Sequence, residues 1–435
     1  MIRFVSILLL LFHFHLNAQV FTLQQCIDSA LANNIRVKQG GLLSDVAQVN
    51  WQQAKANLFP NLGVAFNHGI NQGRSIDPFT NTYVDQTVNY ASYGLSSGVV
   101  LFNGLTLQNR LRQMATGYEA SRMEWKQVRD NLTLTVIIAY LQVLNNEDVL
   151  LSAEQQLQVS KKQLERLEIL DSKGAISPSQ VSDLKGQLMN DQLSVNSASN
   201  QLETSKLSLL QLMNIPYTNS IRLQRIDVEQ FADNYNKTAA EVYENSLHQL
   251  ALVKVAEMKR QSAEYGLKAA KGQLYPGVLL GGNIQTNFSS AAEINNGKIP
   301  YGEQLTNNVF SGLNVGIRIP LFNNKEVRSR IKLADIELKN EQLLEENTKI
   351  ELRQQVEKAY LDMNNARERY RLLVQQVDAY QQSFKAAEAR FNAGLGSSVD
   401  FLIAKNNLDR ATINLVSAKY DFAFRKKVLD YYEGK

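Results

Sequence analysis

The sequence is poor in the residues from which metal sites, disulfide scaffolds and active sites are built. Among 435 residues there is one cysteine, Cys26, so no intrachain disulfide can form. Four histidines occur, and two of them, His13 and His15, sit in the first eighteen residues. His68 and His248 are too few for a histidine-based metal site. No Ser-His-Asp grouping, phosphate-binding glycine loop, CxxC or HExxH pattern is present, and acidic pairs such as Glu345-Glu346 read as solvated helix faces. Neither an enzyme nor a cofactor is expected. The formal charge of +4 is weak and of mixed sign, which gives no case for a nucleic-acid partner. Proline is scarce too: the seven residues are Pro60, Pro78, Pro178, Pro216, Pro276, Pro300 and Pro320. None falls in 103–170, 182–213 or 325–391, the condition for uninterrupted helices.

Beyond the first residues, no run approaches 18 consecutive apolar positions, so no transmembrane helix is expected in the mature chain. The start itself, Met1-Ile2-Arg3 followed by an apolar run from Phe4 to Phe14 and by Leu16-Asn17-Ala18, reads as a signal peptide over 1–18. Its loss would take net charge to about +3. Leu23-Gln24-Gln25-Cys26 has a bulky Gln where a lipidation signal needs a small residue, so Cys26 reads as an ordinary helix residue. An exported chain without a spanning helix is either soluble or meets a membrane through β-strands.

What is present is said twice. Leu58-Phe59-Pro60-Asn61-Leu62 returns as Leu274-Tyr275-Pro276-Gly277-Val278, and Leu101-Phe102-Asn103-Gly104 returns as Leu321-Phe322-Asn323-Asn324. Ala139-Tyr140-Leu141 returns as Ala359-Tyr360-Leu361. The shifts are 216 and 220, reconciled by one four-residue insertion, and a period this long marks a duplicated half-protein. The halves are expected at 19–237 and 238–435.

Apolar positions in the proline-free runs recur in a 4-then-3 rhythm, most cleanly as Phe401, Ala404, Leu408, Ala411, Leu415, Ala418 and Phe422. A sustained 3.5-residue seam means coiled-coil packing, with large residues alternating with small ones. From Gly104 to Asp171 is about 68 residues, roughly 100 Å of helix at 1.5 Å per residue, so an elongated object is expected. The helical hairpins are expected at 103–213, bending at about 172–179, and at 325–430, bending at about 392–398.

Four segments carry period two instead: about 61–72, 88–102, 277–288 and 309–321. Leu62, Val64, Phe66 and Ile70 alternate with small or polar residues. Tyr93, Leu95, Val99 and Leu101 do the same, as do Val278, Leu280 and Ile284, and as do Leu313, Val315, Ile317 and Ile319. Ten-residue segments with one apolar face are the signature of a lipid-facing barrel. Polar stretches at 73–87 and 289–308, rich in turn formers, join each pair. Four strands cannot close a membrane barrel, which takes at least eight. Two copies would give a lumen filled by side chains. Three give twelve strands, and a homotrimer is therefore expected.

The ordered set resembles the TolC-like outer membrane efflux protein family over nearly the whole mature chain. Its most specific part is Arg390-Phe391-Asn392-Ala393-Gly394-Leu395 followed by Val399-Asp400-Phe401-Leu402. Lys173-Gly174-Ala175-Ile176-Ser177-Pro178 is the looser first-half match, and Thr22-Leu23-Gln24-Gln25-Cys26-Ile27-Asp28 looks like the family's opening helix. The resemblance implies a mainly helical α+β membrane protein. Each chain would supply four transmembrane strands, two coiled-coil hairpins and an equatorial insertion at about 214–237. The trimer would form a twelve-stranded barrel in outer membrane lipid and a twelve-helix periplasmic tunnel. Implied partners are a periplasmic adaptor protein and an inner-membrane efflux pump or type I secretion ATPase.

Candidate sites follow. Asp400 falls where the family has an acidic residue at the periplasmic entrance, and three copies would form a ring favouring cations. It reads equally as a first-turn acid serving its own helix. Where the family often has a second acid, this chain has Ile403, which points to a greasy constriction beside one acidic ring. Gly174, Ala175, Ile176, Gly394 and Leu395 are candidate adaptor contacts at the tips, although the glycines also suit helix ends. Ile176 and Leu395 are apolar at bends expected to be exposed. Arg318 lies on the non-lipid face of its strand by alternation, as a pore charge or a rim residue. Arg74-Ser75-Ile76-Asp77-Pro78 reads as outward turn chemistry. The competing reading is a periplasmic coiled-coil adaptor or scaffold, but such proteins carry one hairpin and no set of four amphipathic strands. A passive porin would need many more strands in one chain.

Overall fold

The computed structural model describes residues 20–76, 81–85, 87–217, 221–226, 235–295 and 297–434. The signal peptide expected at 1–18, Asp77 and Pro78 of the turn, and parts of the 214–237 insertion lie outside the described residues. Among the described residues the first half runs β1 (Val20–Phe21), α1 (Leu23–Asn33), α2 (Ile35–Ala56), β2 (Asn61–Asn71), β3 (Arg74–Ile76), β4 (Tyr83–Asp85), β5 (Val88–Asn103), α3 (Thr106–Ser172) and α4 (Pro178–Leu212). β6 (Arg222–Leu223) closes the first half, and the second runs α5 (Ala239–Gln249), α6 (Ala251–Gly272), β7 (Gly277–Ser289), β8 (Glu293–Ile294), β9 (Gly297–Lys298), α7 (Tyr301–Asn307), β10 (Phe310–Arg318), α8 (Glu326–Asn392) and α9 (Ser398–Tyr432).

The helices match in length pair by pair. α1 and α5 have 11 residues, α2 and α6 have 22, α3 and α8 have 67, and α4 and α9 have 35. Their starts are offset by 216 residues before the strands and by 220 after them. The caps repeat as well. Thr22 accepts from the Gln25 backbone N–H while the Gln25 side chain accepts from the Thr22 N–H, and Thr238 with Glu241 forms the same reciprocal box. The compact units of the chain, however, cut across the repeats. Among the described residues, one comprises those within 1–40, 125–251 and 349–435, the other those within 41–124 and 252–348. Each draws on both halves of the sequence.

The second unit contains a four-stranded antiparallel sheet in the order β10-β7-β5-β2, with β2 and β10 at its edges. Its register gathers the four alternating sets onto one face. Val64 lies opposite Leu95, Leu95 opposite Ile284, Leu280 opposite Val315, and Val278 opposite Ile317. The other face carries Gly63, Asn67, Ser92, Ser96, Asn283, Gln285, Asn314 and Arg318. One expectation fails here: the register shifts at a bulge between Val100 and Phe102, so Leu101 drops out of the alternation.

The stretch 289–308 is also more than a polar loop. It holds the β8–β9 hairpin and α7. The Gln304 amide of α7 is fully buried, accepting from Ser289 N and donating to Ser289 O and Ile299 O at 2.8–3.0 Å. Tyr301 packs on Phe288 and shares a hydroxyl–hydroxyl bond with Tyr93, so α7 covers the apolar face at the sheet end away from the helices. Glu345, expected to be solvated, is instead held by Arg260 Nε at 2.6 Å.

The first unit's core gathers Cys26 and Ala30 of α1, Val136, Tyr140 and Leu144 of α3, Leu209 of α4, and Ala423 of α9. α3 is apolar enough over one 18-residue window to cross a membrane by composition. Its most apolar stretch, around Val136 to Leu144, supplies this core instead. The Tyr140 hydroxyl donates to the carbonyls of Phe21 and Gln224, tying down the β1–β6 pair. Burial pushes the Cys26 thiol up to about 11, which leaves it an unreactive apolar side chain.

Candidate functional site at the helix tips

Both hairpins bend in the first unit by the same device. Gly174 and Gly394 take left-handed φ angles of +67° and +74°. At the first bend Ala175 N–H donates to Leu170 O at 3.0 Å, and at the second Leu395 N–H donates to Arg390 O at 2.9 Å. These are the six-to-one bonds that close a helix end, and glycine supplies the left-handed residue without a Cβ penalty. The next helix starts three residues later, capped by Ser177 before Pro178 and by Ser397 before Ser398.

Asp400 is therefore the third residue of α9. Its N–H donates to Ser397 Oγ at 3.1 Å, and its carboxylate accepts from that hydroxyl at 2.8 Å. Ser397 is the cap, and the Asp400 carboxylate that braces its hydroxyl is exposed, as are the neighbouring Val399 and Ile403. By contrast Phe401 is fully buried between Phe384 and Phe391, at ring-centroid distances of 5.6 and 5.0 Å. Leu164, Leu167, Val181 and Leu184 complete the cluster.

The two tips differ in what they expose. Leu395 is 81% exposed. Ile176 is not equivalent to it: it is half-buried and packs against the Leu164–Phe401 cluster, so the bend does not leave it free. Gly174, Ala175 and Gly394 are exposed. Ser398 Oγ donates to Asp183 Oδ2 at 2.9 Å, and Arg166 binds the side chain and carbonyl of Asn392, so the two bends are fastened together.

Sequence reasoning missed the polar centre just above. Lys405, only 2% exposed, places its ammonium 3.0 Å from Asp191 Oδ2 and 2.6 Å from Asp409 Oδ2. Ser160 Oγ donates to Asp191 Oδ2 at 2.5 Å and Gln187 Nε2 to Asp191 Oδ1 at 2.8 Å. Gln187 also exchanges hydrogen bonds with Asn406. Helices α3, α4 and α9 thus meet at one enclosed, fully bonded charge cluster. Burial pushes the Asp409 carboxyl above its usual range, and Lys405 opposes that shift. The available signal was Lys405 beside Ala404 in an otherwise apolar seam, with Asp409 four residues on.

In the other unit Arg318 ends β10 on the polar face of the sheet, beyond Gly316 and Asn314. Among the described residues no group of three or more acidic, histidine or cysteine side chains is arranged to hold a metal.

A sheet with one apolar and one polar face, joined to paired coiled-coil hairpins, is the build of a channel-forming subunit. The family model described as outer membrane efflux protein matches residues 26–214 and 242–428, and the chain belongs to that family. It is 22% identical over 424 residues to outer membrane protein TolC of Salmonella enteritidis, covering 96% of this chain and 82% of that protein. TolC of Escherichia coli strain K12 is 22% identical over 414 residues, covering 93% and 80%. Among solved structures, CusC superposes with a TM-score of 0.82 at 17% identity, covering 95% of this chain and 92% of that one. VceC of Vibrio cholerae gives 0.77 at 18% identity, covering 95% and 96%. The chain is an outer membrane efflux channel protein with a periplasmic helical extension.

Proposed function

We propose that three copies close a twelve-stranded barrel and a twelve-helix tunnel, and that the assembly is the exit duct of a tripartite efflux or type I secretion system. A periplasmic adaptor and an inner-membrane pump or secretion ATPase deliver the substrate, and this chain performs no chemistry. One observation carries the reading: a four-stranded sheet has one continuous apolar face and two open edges. Open edges in lipid are untenable, because unpaired backbone groups there cost several kcal/mol each. Closure by like copies satisfies them, and three is the smallest number that leaves a lumen.

The tips are the adaptor-facing end, with Leu395 the main apolar contact among Gly174, Ala175, Ile176 and Gly394. Asp400 and Ile403 form the periplasmic gate, and Arg318 lines the pore. Detergent extraction with mass measurement, followed by planar bilayer recording, tests the reading. An outer-membrane trimer with unit conductance supports it. A soluble periplasmic monomer would sink it and favour the scaffold alternative.

A further inference from the structure

The four strands of the sheet are unequal. β5 has 16 residues, β7 has 13 and β2 has 11, but β10 has only 9. The β10–β7 ladder begins at the pair Phe310–Gln285, whereas β7 runs on to Ser289. Among the described residues no strand lies beside the stretch from Thr286 to Ser289 on that side. α7 stands there instead. Ser289 N–H donates to Gln304 Oε1 at 2.9 Å, and Ser289 O accepts from Gln304 Nε2 at 3.0 Å. Asn308 Nδ2 donates to Asn287 O at 2.9 Å, and Thr286 Oγ1 donates to Leu305 O at 2.8 Å. Side-chain amides thus take the place of a strand along an otherwise open edge. An edge in water needs no such device, since water satisfies it. An edge at membrane depth does, because each unpaired backbone group there costs several kcal/mol.

The height of the sheet points the same way. Val278 and Phe288 both lie on the apolar face of β7, ten residues apart. At about 3.3 Å per residue and a tilt of roughly 40°, they are separated by about 25 Å along the barrel axis, the height of the apolar band of such barrels. A band ending at Ile284 would stand only about 15 Å tall by the same measure, too little for that band. The apolar band therefore extends up to α7. There Tyr301 packs on Phe288 at a ring-centroid distance of 4.7 Å and shares a hydroxyl–hydroxyl bond with Tyr93 of the apolar face, while remaining 44% exposed. Tyrosine suits a boundary, its ring among acyl chains and its hydroxyl among headgroups. The remaining exposed residues of α7 include Gly302, Glu303 and Thr306, which are not apolar.

We propose that α7 completes the lipid-facing wall above β10 and lies at the boundary between acyl chains and headgroups of the outer leaflet. It is a membrane-contacting helix on the outside of the barrel, not part of its mouth. Gln304 is the positioning residue that holds it against the open edge of β7. The proposal rests on the barrel reading above.

Depth-dependent quenching tests it. In full-length protein with Cys26 replaced by Ala, Thr306→Cys, Leu313→Cys or Asn314→Cys is introduced singly and labelled with an environment-sensitive fluorophore. The protein is reconstituted into phosphatidylcholine vesicles that carry a nitroxide on the headgroup, near the top of the acyl chain or deep within it. Iodide serves as the aqueous quencher. The deep nitroxide should quench the Leu313 position, the headgroup and shallow nitroxides the Thr306 position, and iodide alone the Asn314 position. Adding Gln304→Ala should shift the Thr306 position from the lipid quenchers to iodide and leave the Leu313 position unchanged. A Thr306 position quenched by iodide alone, or chiefly by the deep nitroxide, overturns the placement of α7 while Leu313 still reports a lipid-facing wall. No response to Gln304→Ala removes the positioning role. A Leu313 position that no lipid nitroxide reaches overturns the barrel reading itself.

Discussion

Lys405 holds its charge in a place from which water is excluded, and it does so because three helices bring it two carboxylates. Removing one partner of a buried pair costs about 3–5 kcal/mol, since the remaining charges are left uncompensated. Lys405→Ala should therefore loosen the hairpin ends, seen as lost amide-exchange protection across 160–170, 181–191 and 400–410. Converting the whole set to apolar residues, Ser160→Ala with Asp191→Leu, Lys405→Met and Asp409→Leu, should restore most of that protection. If the quadruple variant exchanges as fast as Lys405→Ala, charge was not the reason for the loss.

The repeated caps supply a matched pH experiment. Hydrogen bonds from Thr238 hold the Glu241 carboxyl below its usual range. A lowered folded pKa contributes stability that is present above 4.5, the ordinary glutamate value, and is lost as pH falls through the lowered one. Its counterpart Gln25 does not titrate. Acidification below that value should fray α5 before α1, with amide exchange at Val242 rising while exchange at Cys26 stays flat.

At the scale of the element, the tips show what periodicity can and cannot say. The glycines, the serine caps and the 4-then-3 seams were readable because each reflects a local rule, one backbone conformation or one helical face. The pairing of Lys405 with Asp191 was not, since the partners lie 214 residues apart and only the packed hairpins bring them together. Ile176 is half-buried for a related reason: its environment is set by Leu164 and Phe401 on other helices. Leu101 lost its face to a bulge that no composition signal marks.

The difference between the two tip side chains is testable. Leu395→Asp should leave thermal stability unchanged and abolish export, because an exposed side chain costs nothing to solvate. Ile176→Asp should lower stability by about 1–3 kcal/mol, the cost of a polar group in an apolar cluster, and reduce export through that loss. Equal melting temperatures for both variants would return Ile176 to the exposed surface.

At the scale of the whole molecule, one sheet must face lipid on one side and water on the other, and neighbouring residues experience opposite solvents. Asn314 and Val315 are adjacent in β10, on the polar and apolar faces. An arginine facing lipid near the bilayer midplane costs about 2–4 kcal/mol per copy, whereas one facing a wet lumen costs little. Val315→Arg should therefore cut the amount of assembled trimer in outer membranes. Asn314→Arg should assemble normally and shift the pore toward anions, since three added positive charges would ring its wall. Asp400→Ala, at the proposed gate, acts in the same sense. In the proposed trimer it removes an acidic ring, so cation selectivity should fall and cation leak through the resting channel should rise. The comparison separates the two proposed sites. On the proposed reading, Asn314→Arg should change selectivity in the open barrel, and Asp400→Ala chiefly in the closed state. If Val315→Arg assembles and Asn314→Arg does not, the two faces are reversed and the lumen lies on the side now assigned to lipid.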